Sequence, residues 1–212
     1  PIEWGGIQYE LAKSFTKNPM GVRADNLEHA IKHCHLALQE LTRHASSVDW
    51  NNIQIDLGLA YLNRIHGERA ENIEQAIHHC HLALEISTRQ DSPLVWGNIQ
   101  HYLGSAYNIR ILGERPENIE QAIQHYEQAL EVRAHGDFPI NWAQTQQYLA
   151  DVYQCRIRGE RAANIDQAIH HYQQALEVRT REAYPEKWAD TQNNLAHAYA
   201  DRIRGERAEN IE

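Results

Sequence analysis

The chain is poor in several things at once. Its 212 residues include three cysteines, one methionine and two phenylalanines. Cys34, Cys80 and Cys155 make an odd count at no framework spacing. That excludes a disulfide scaffold, fits a reducing compartment, and leads us to expect a cytoplasmic location. Basic residues are in deficit, 20 Lys and Arg against 29 Asp and Glu, for a net charge of −9. No positive field is left for a phosphate backbone, so nucleic-acid binding is not expected. The longest mostly apolar stretch, Ile55 to Leu62, is far short of the ~18 residues of a membrane span. No charged-then-apolar leader precedes Trp4, so no secretory signal is expected. Also missing are a Gly-rich phosphate loop, a metalloprotease helix motif, a nucleophile elbow and a paired-cysteine zinc spacing. Neither catalysis nor a cofactor is expected.

What is present is a period. Trp4, Trp50, Trp96, Trp142 and Trp188 lie 46 residues apart, as do Gly21, Gly67, Gly113, Gly159 and Gly205. Asn26, Asn72, Asn118, Asn164 and Asn210 keep the same step. Three residue types locked to one period make the chain an array. Its units are 1–46, 47–92, 93–138, 139–184 and a partial 185–212. Each unit reads as two helices. The first begins near the Trp and carries one apolar stripe, as in Trp50, Ile53, Leu57 and Tyr61. Arg64, Arg110, Arg156 and Arg202 fall in its last turn, where a cation suits the helix dipole. The Gly that follows suits a left-handed helix end. The second helix is expected to open at the repeated Asn, with Asn72-Ile-Glu-Gln75 and its counterparts as capping boxes. Ala76, Ile77, Cys80, Ala83 and Leu84 form its stripe. Nine helices follow: four pairs and a last, unpaired one.

Leu57-Gly58-x-x-Tyr61 followed by Ala76-x-x-x-Cys80-x-x-Ala83, and the matching Leu103-Gly104-x-x-Tyr107 with Ala122-x-x-x-Tyr126-x-x-Ala129, resemble the core signature of tetratricopeptide (TPR) repeats. The period of 46 in place of 34 resembles a long-repeat bacterial variety, in which a sensor array stands beside an effector domain. The resemblance implies an all-α, right-handed superhelical solenoid of about four and a half helix-turn-helix repeats, forming a single domain over 1–212. Pro1 aligns with Pro93, Pro139 and Pro185. The chain thus reads either as trimmed from a longer array or as ending in a natural assembly surface, and a homo-oligomer through the terminal helices stays open.

Positions held constant from unit to unit pack an array, and positions that vary on one face are free to specify a partner. In the first helices the variable stripe lies two, five, nine, twelve and thirteen residues after the Trp. The resemblance places this stripe in the concave groove where a peptide or partner helix docks. The candidate binding residues are Tyr9, Lys13, Asn52, Ile55, Leu59, Leu62, Asn98, His101, Asn108, Ile109, Gln147 and Asp151. An apolar anchor near units one to three would be followed by amides. Leu59 and Leu62 can equally pack against neighbouring helices. The Lys-and-Asn set with which chaperone-binding relatives grip a C-terminal carboxylate is not evident.

Fourteen histidines invite a metal reading. His29 and His33 have the i, i+4 spacing that can clip zinc or nickel weakly. Yet His33, His79, His125 and His171 are one position in successive units, and Cys34 and Cys80 alternate with Tyr126 and Tyr172. Both columns read as core filling, and no physiological metal is expected. Rings held neutral by packing would make the fold acid-sensitive. The tryptophans and tyrosines read as core.

Overall fold

The computed structural model describes residues 1–209, and side chains for residues 1–202. Among the described residues nine helices run in order: α1 (Ile2–Lys17), α2 (Arg23–Leu38), α3 (Ser47–Asn63), α4 (Arg69–Leu84), α5 (Pro93–Asn108), α6 (Arg115–Leu130), α7 (Pro139–Gln154), α8 (Arg161–Val178) and α9 (Pro185–Glu209). No strand occurs among the described residues. The fold class is all-α, a helical-repeat solenoid.

The chain divides into two compact units, Pro1–Leu112 and Gly113–Glu212, with the division inside the third repeat. In the first unit α1 pairs with α2 and α3 with α4, while α2 covers α3 and α4 covers α5. In the second, α7 pairs with α8, α6 packs on α7 and α8 on α9. Thus α3 and α7 are each covered on one side by their own partner, α4 or α8, and on the other by the second helix of the preceding repeat, α2 or α6. The expected stripes occupy these contacts: Ile53, Leu57, Cys80, Ile99 and Leu103 are fully buried. Each such aliphatic side chain contributes roughly 1.5–3 kcal/mol by leaving water.

Small residues set the helix spacing. A Cβ placed on Gly58 would lie 2.8 Å from Cys80 Sγ and 3.5 Å from Ala76 O. The loops between paired helices turn at Gly21, Gly67, Gly113 and Gly159, with φ of 85°, 79°, 79° and 78°. These are the left-handed values that favour glycine.

Four sequence expectations are corrected. The second helices open three residues before the repeated Asn, at Arg69 in α4 and Arg161 in α8, and no side chain caps them. Asn72 lies inside the first turn and is 2% exposed. Its Nδ2 donates to His66 O at 2.8 Å and its Oδ1 accepts from Arg64 Nη1 at 3.2 Å. Asn164 repeats this with Arg158 O and Arg156. A buried amide that satisfies the loop outweighs a cap at an end already open to water.

The arginines do more than complete a dipole. Arg64 sits just past α3 and makes a bidentate pair with Glu28 of α2, at 2.7 and 2.8 Å. Arg110 holds Glu74 and Arg156 holds Glu120 in the same way, and Arg202 holds Asp166 at 3.0 Å. The acid always lies 36 residues earlier, in the preceding repeat. Arg64, Arg110 and Arg156 also stack on Tyr61, Tyr107 and Tyr153.

The tryptophans are not core. Trp4 is 41% exposed, and Trp50, Trp96, Trp142 and Trp188 are half-buried. Arg43, Arg89 and Arg181 lie over Trp50, Trp96 and Trp188 at 5.6–5.9 Å, and His135 meets Trp142 edge-on. The Trp column therefore closes the joint between repeats from outside.

The last helix was expected to stop at Gly205, but α9 continues to Glu209. No described helix follows α9 to draw the chain back there, so local helix formation prevails. The expected new helix at Asn210 lies outside the described residues.

Gly58→Ala should destabilise the chain by about 1 kcal/mol: the overlap with Cys80, typically 1–3 kcal/mol, exceeds the gain in helix propensity of about 1 kcal/mol. Adding Cys80→Ala should recover more than either single variant predicts. Urea melts of all four proteins check this, and additive losses would place the strain elsewhere.

Candidate partner-binding face

The variable stripe lies on α1, α3 and α5 in the first unit and on α7 and α9 in the second. The structure treats the twelve expected residues unequally. Tyr9, Leu62 and His101 are 8%, 9% and 3% exposed, so they pack rather than face a partner. Ile55 is partly buried against the core of the first unit. Lys13, Asn52, Leu59, Asn98 and Asn108 are half-buried, and Ile109, just past α5, is 40% exposed. Lys13 lies over the Tyr9 ring at 4.7 Å and pairs with Glu10. In the second unit Gln147 is half-buried. Asp151, also half-buried, accepts from Tyr172 Oη at 2.5 Å and from Asn194 Nδ2 at 3.3 Å.

Two hollows adjoin this stripe in the first unit. One, of about 90 Å³, is walled by Leu59 with Phe15, Thr16, Asn26, Leu27 and Asn63. The other, of about 490 Å³ and more open, runs along α1 past Glu10, Lys13, Phe15 and Lys17.

A residue that the sequence did not single out anchors the α1–α3 side. Asp56 accepts from Tyr9 Oη at 2.8 Å. Burial pushes its carboxyl pKa up, against the opposing pull of that hydrogen bond and of Lys13 and Lys17. Burial, then the Asp56 charge, raises the Tyr9 hydroxyl. The signal was weak, because Asp56 recurs as Glu10, Tyr102, Tyr148 and Asn194.

The histidine column has a partner column. His33, His79 and His171 each place Nδ1 2.7 Å from Oε1 of Gln8, Gln54 and Gln146. Gln recurs at 8, 54, 100, 146 and 192, a periodicity that would have revealed the pairing. The rings stack at 5.5 Å on Phe15, Tyr61 and Tyr153. His29 also stacks on Phe15, at 4.7 Å, so this ring contacts both members of the supposed metal clip. No group of three His, Cys, Asp or Glu side chains suited to a metal ion occurs among the described residues.

The Sel1 repeat, a TPR-like repeat, matches residues 54–85, 100–131 and 143–177, together a little under half of the chain. Three stretches of the chain are thus similar to TPR-like helical repeats. No curated protein matches it. Repeats of this kind generally serve protein–protein interaction and are not catalytic. No described helix is long and apolar enough to cross a membrane.

Burial, reinforced by His78 and His35, lowers His79 to about 4. Burial and His170 lower His171 to about 4, against a smaller opposing hydrogen bond to Gln174 Oε1. A ring kept neutral when folded but able to protonate near 6.5 when unfolded gives stability present above that value. The stability is lost as pH falls toward 4, on the order of 3 kcal/mol per ring at the acid limit. Melting temperature should therefore drop between about pH 7 and pH 5, and His79→Phe should flatten the drop. An identical profile for that variant would assign the acid sensitivity elsewhere.

Proposed function

We propose that the first unit recognises a protein segment, a peptide or a helix, along the stripe of α1, α3 and α5. The chain acts by binding rather than by catalysis, as one part of a larger multidomain protein. The observation that carries this reading is Leu59. Its row is otherwise Lys13, Ser105, Asp151 and His197, so the scaffold makes no demand for an apolar residue there. Leu59 nevertheless stays half-exposed on the wall of a hollow. Lys13 and Lys17 on α1 favour an acidic flank, and Asn52 offers hydrogen bonds to an extended backbone. Ile55 supports this surface from beneath. Gln147 and Asp151 belong to the second unit and extend the same kind of surface there.

Peptide display against the intact chain and against Leu59→Glu and Lys13→Glu variants with matching helical melts tests the reading. Enriched peptides should carry an apolar residue near acidic ones. They should weaken at least tenfold, about 1.4 kcal/mol, on Leu59→Glu. Enrichment indifferent to both variants would remove the stripe from consideration.

A second reading, self-association, is favoured by one observation. Ile7 and Leu11 of α1 are 58% and 39% exposed, whereas Ile53, Ile99, Leu57 and Leu103 at the equivalent positions are fully buried. α3 and α5, which carry those residues, pack against α2 and α4 of the preceding repeats. A second copy resting on the face of Ile7 and Leu11 would give a dimer that Ile7→Glu dissolves. Light scattering over a concentration series checks it, and a constant monomer mass would dismiss it.

A further inference from the structure

The joint between α8 and α9 contains a cation that the repeat does not require. Position 179 recurs as Leu41, Ser87 and Arg133. Leu41 and Ser87 are 1% and 3% exposed, so the joint packs well around a neutral side chain, whereas Arg133 is 2% exposed and donates from Nη1 to Thr145 Oγ1 at 2.6 Å. Arg179 is 9% exposed and donates from Nη1 to Thr191 Oγ1 at 3.3 Å. No carboxylate lies within ion-pairing distance of it among the described residues. Asp151 and Asp190 act on it only through space. A guanidinium taken out of water with only a neutral hydroxyl as side-chain partner is a costly arrangement.

The same side chain lines a cavity of about 250 Å³ with Ile140, Gln144, Val178, Tyr184 and Lys187. Ile140, Val178 and the Tyr184 ring supply apolar walls. Lys187 adds a second cation where earlier repeats have Asn141, Val95, Asp49 and Glu3. Tyr184 stands where Ser46, Ser92 and Phe138 occur, so the aromatic wall is shared with the preceding joint and Lys187 is the addition. Two cations and an aromatic wall thus converge at one joint of a chain whose net charge is −9.

We propose that this cavity binds a small organic acid. Its carboxylate would pair with Arg179 and Lys187, and its compact apolar body would lie against Ile140, Val178 and Tyr184. A hollow of about 250 Å³ has room for a small acid such as hexanoate. A planar guanidinium matches a carboxylate through two parallel hydrogen bonds. The site lies wholly in α7, α8, α9 and the loop joining the last two, so it stands or falls independently of the recognition stripe on the first unit.

The test is a titration of the full chain, followed by thermal melting and by side-chain amide and guanidinium NMR signals. The probes are hexanoate, its uncharged analogue hexanamide, and N-acetyl-leucinate, whose carboxylate mimics a peptide C-terminus. Hexanoate should bind in the millimolar range, raise the melting temperature and shift the Arg179 and Gln144 signals, while hexanamide should do neither. Lys187→Gln, an exposed change that spares the packing, should weaken binding several-fold. Arg179→Ser, which installs the residue found at Ser87, should abolish it. Tighter binding of N-acetyl-leucinate than of hexanoate would support the carboxylate site and assign its source to a partner's chain end. The reverse order would support it and assign a free acid. Equal responses to hexanoate and hexanamide would overturn the proposal by reducing the site to an apolar hollow. Silence toward all three at about 50 mM would overturn it too, leaving Arg179 a structural filler of the joint.

Discussion

A first helix of this chain has two faces to hide. Ile53 and Leu57 must be covered on one side, while Gly58 must come close to Cys80 on the other, and no single helix pair can satisfy both requirements. Coverage has to come from the second helix of the repeat before. The 46-residue step follows from that need, since every unit must present the same cover to its successor. The bidentate Arg–Glu pairs across 36 residues reinforce this junction without creating it. Their side chains are about a quarter to a third exposed, where an ion pair is worth less than the burial of one aliphatic residue.

Once packing is delegated to the constant positions, the remaining ones are released. In the first unit the released row includes Leu59, half-exposed beside a hollow, and Lys13 on a second hollow. In the second unit release extends into the joint itself, where Leu41 and Ser87 give way to Arg133 and Arg179. Asp56 and Asp151 show the same freedom on the first helices, each held by a tyrosine hydroxyl. Variation within one chain thus marks the positions that packing leaves free, on the stripe and between repeats.

Legibility differed by kind of information. The helices, the left-handed glycines at 21, 67, 113 and 159, and the burial of the Ile53–Leu57 stripe followed from period and spacing. The histidine column was read as structural, but its glutamine partners were missed, although Gln8, Gln54 and Gln146 repeat with the same step. The tryptophans misled because exact recurrence was equated with depth. Trp50, Trp96, Trp142 and Trp188 instead lie half-buried at the joints against Arg43, Arg89, His135 and Arg181. Of the candidate site, the stripe as a face was visible, but Tyr9, Leu62 and His101 proved to be packing residues. A helical wheel gives direction, whereas burial depends on which neighbour lies there.

By itself the sequence determined the all-α repeat class, the register of its units and the places where the backbone must turn. These are local matters: periodicity along one helix, and a positive φ that glycine adopts cheaply. Only the tertiary structure decided that Asn72 braces a loop instead of capping a helix, that Arg64 reaches back to Glu28, and that Arg179 opens onto a cavity. Each of these pairs residues from different elements, or a side chain with a space. Such pairings depend on the distance and angle between packed helices, which no pattern along a single helix encodes.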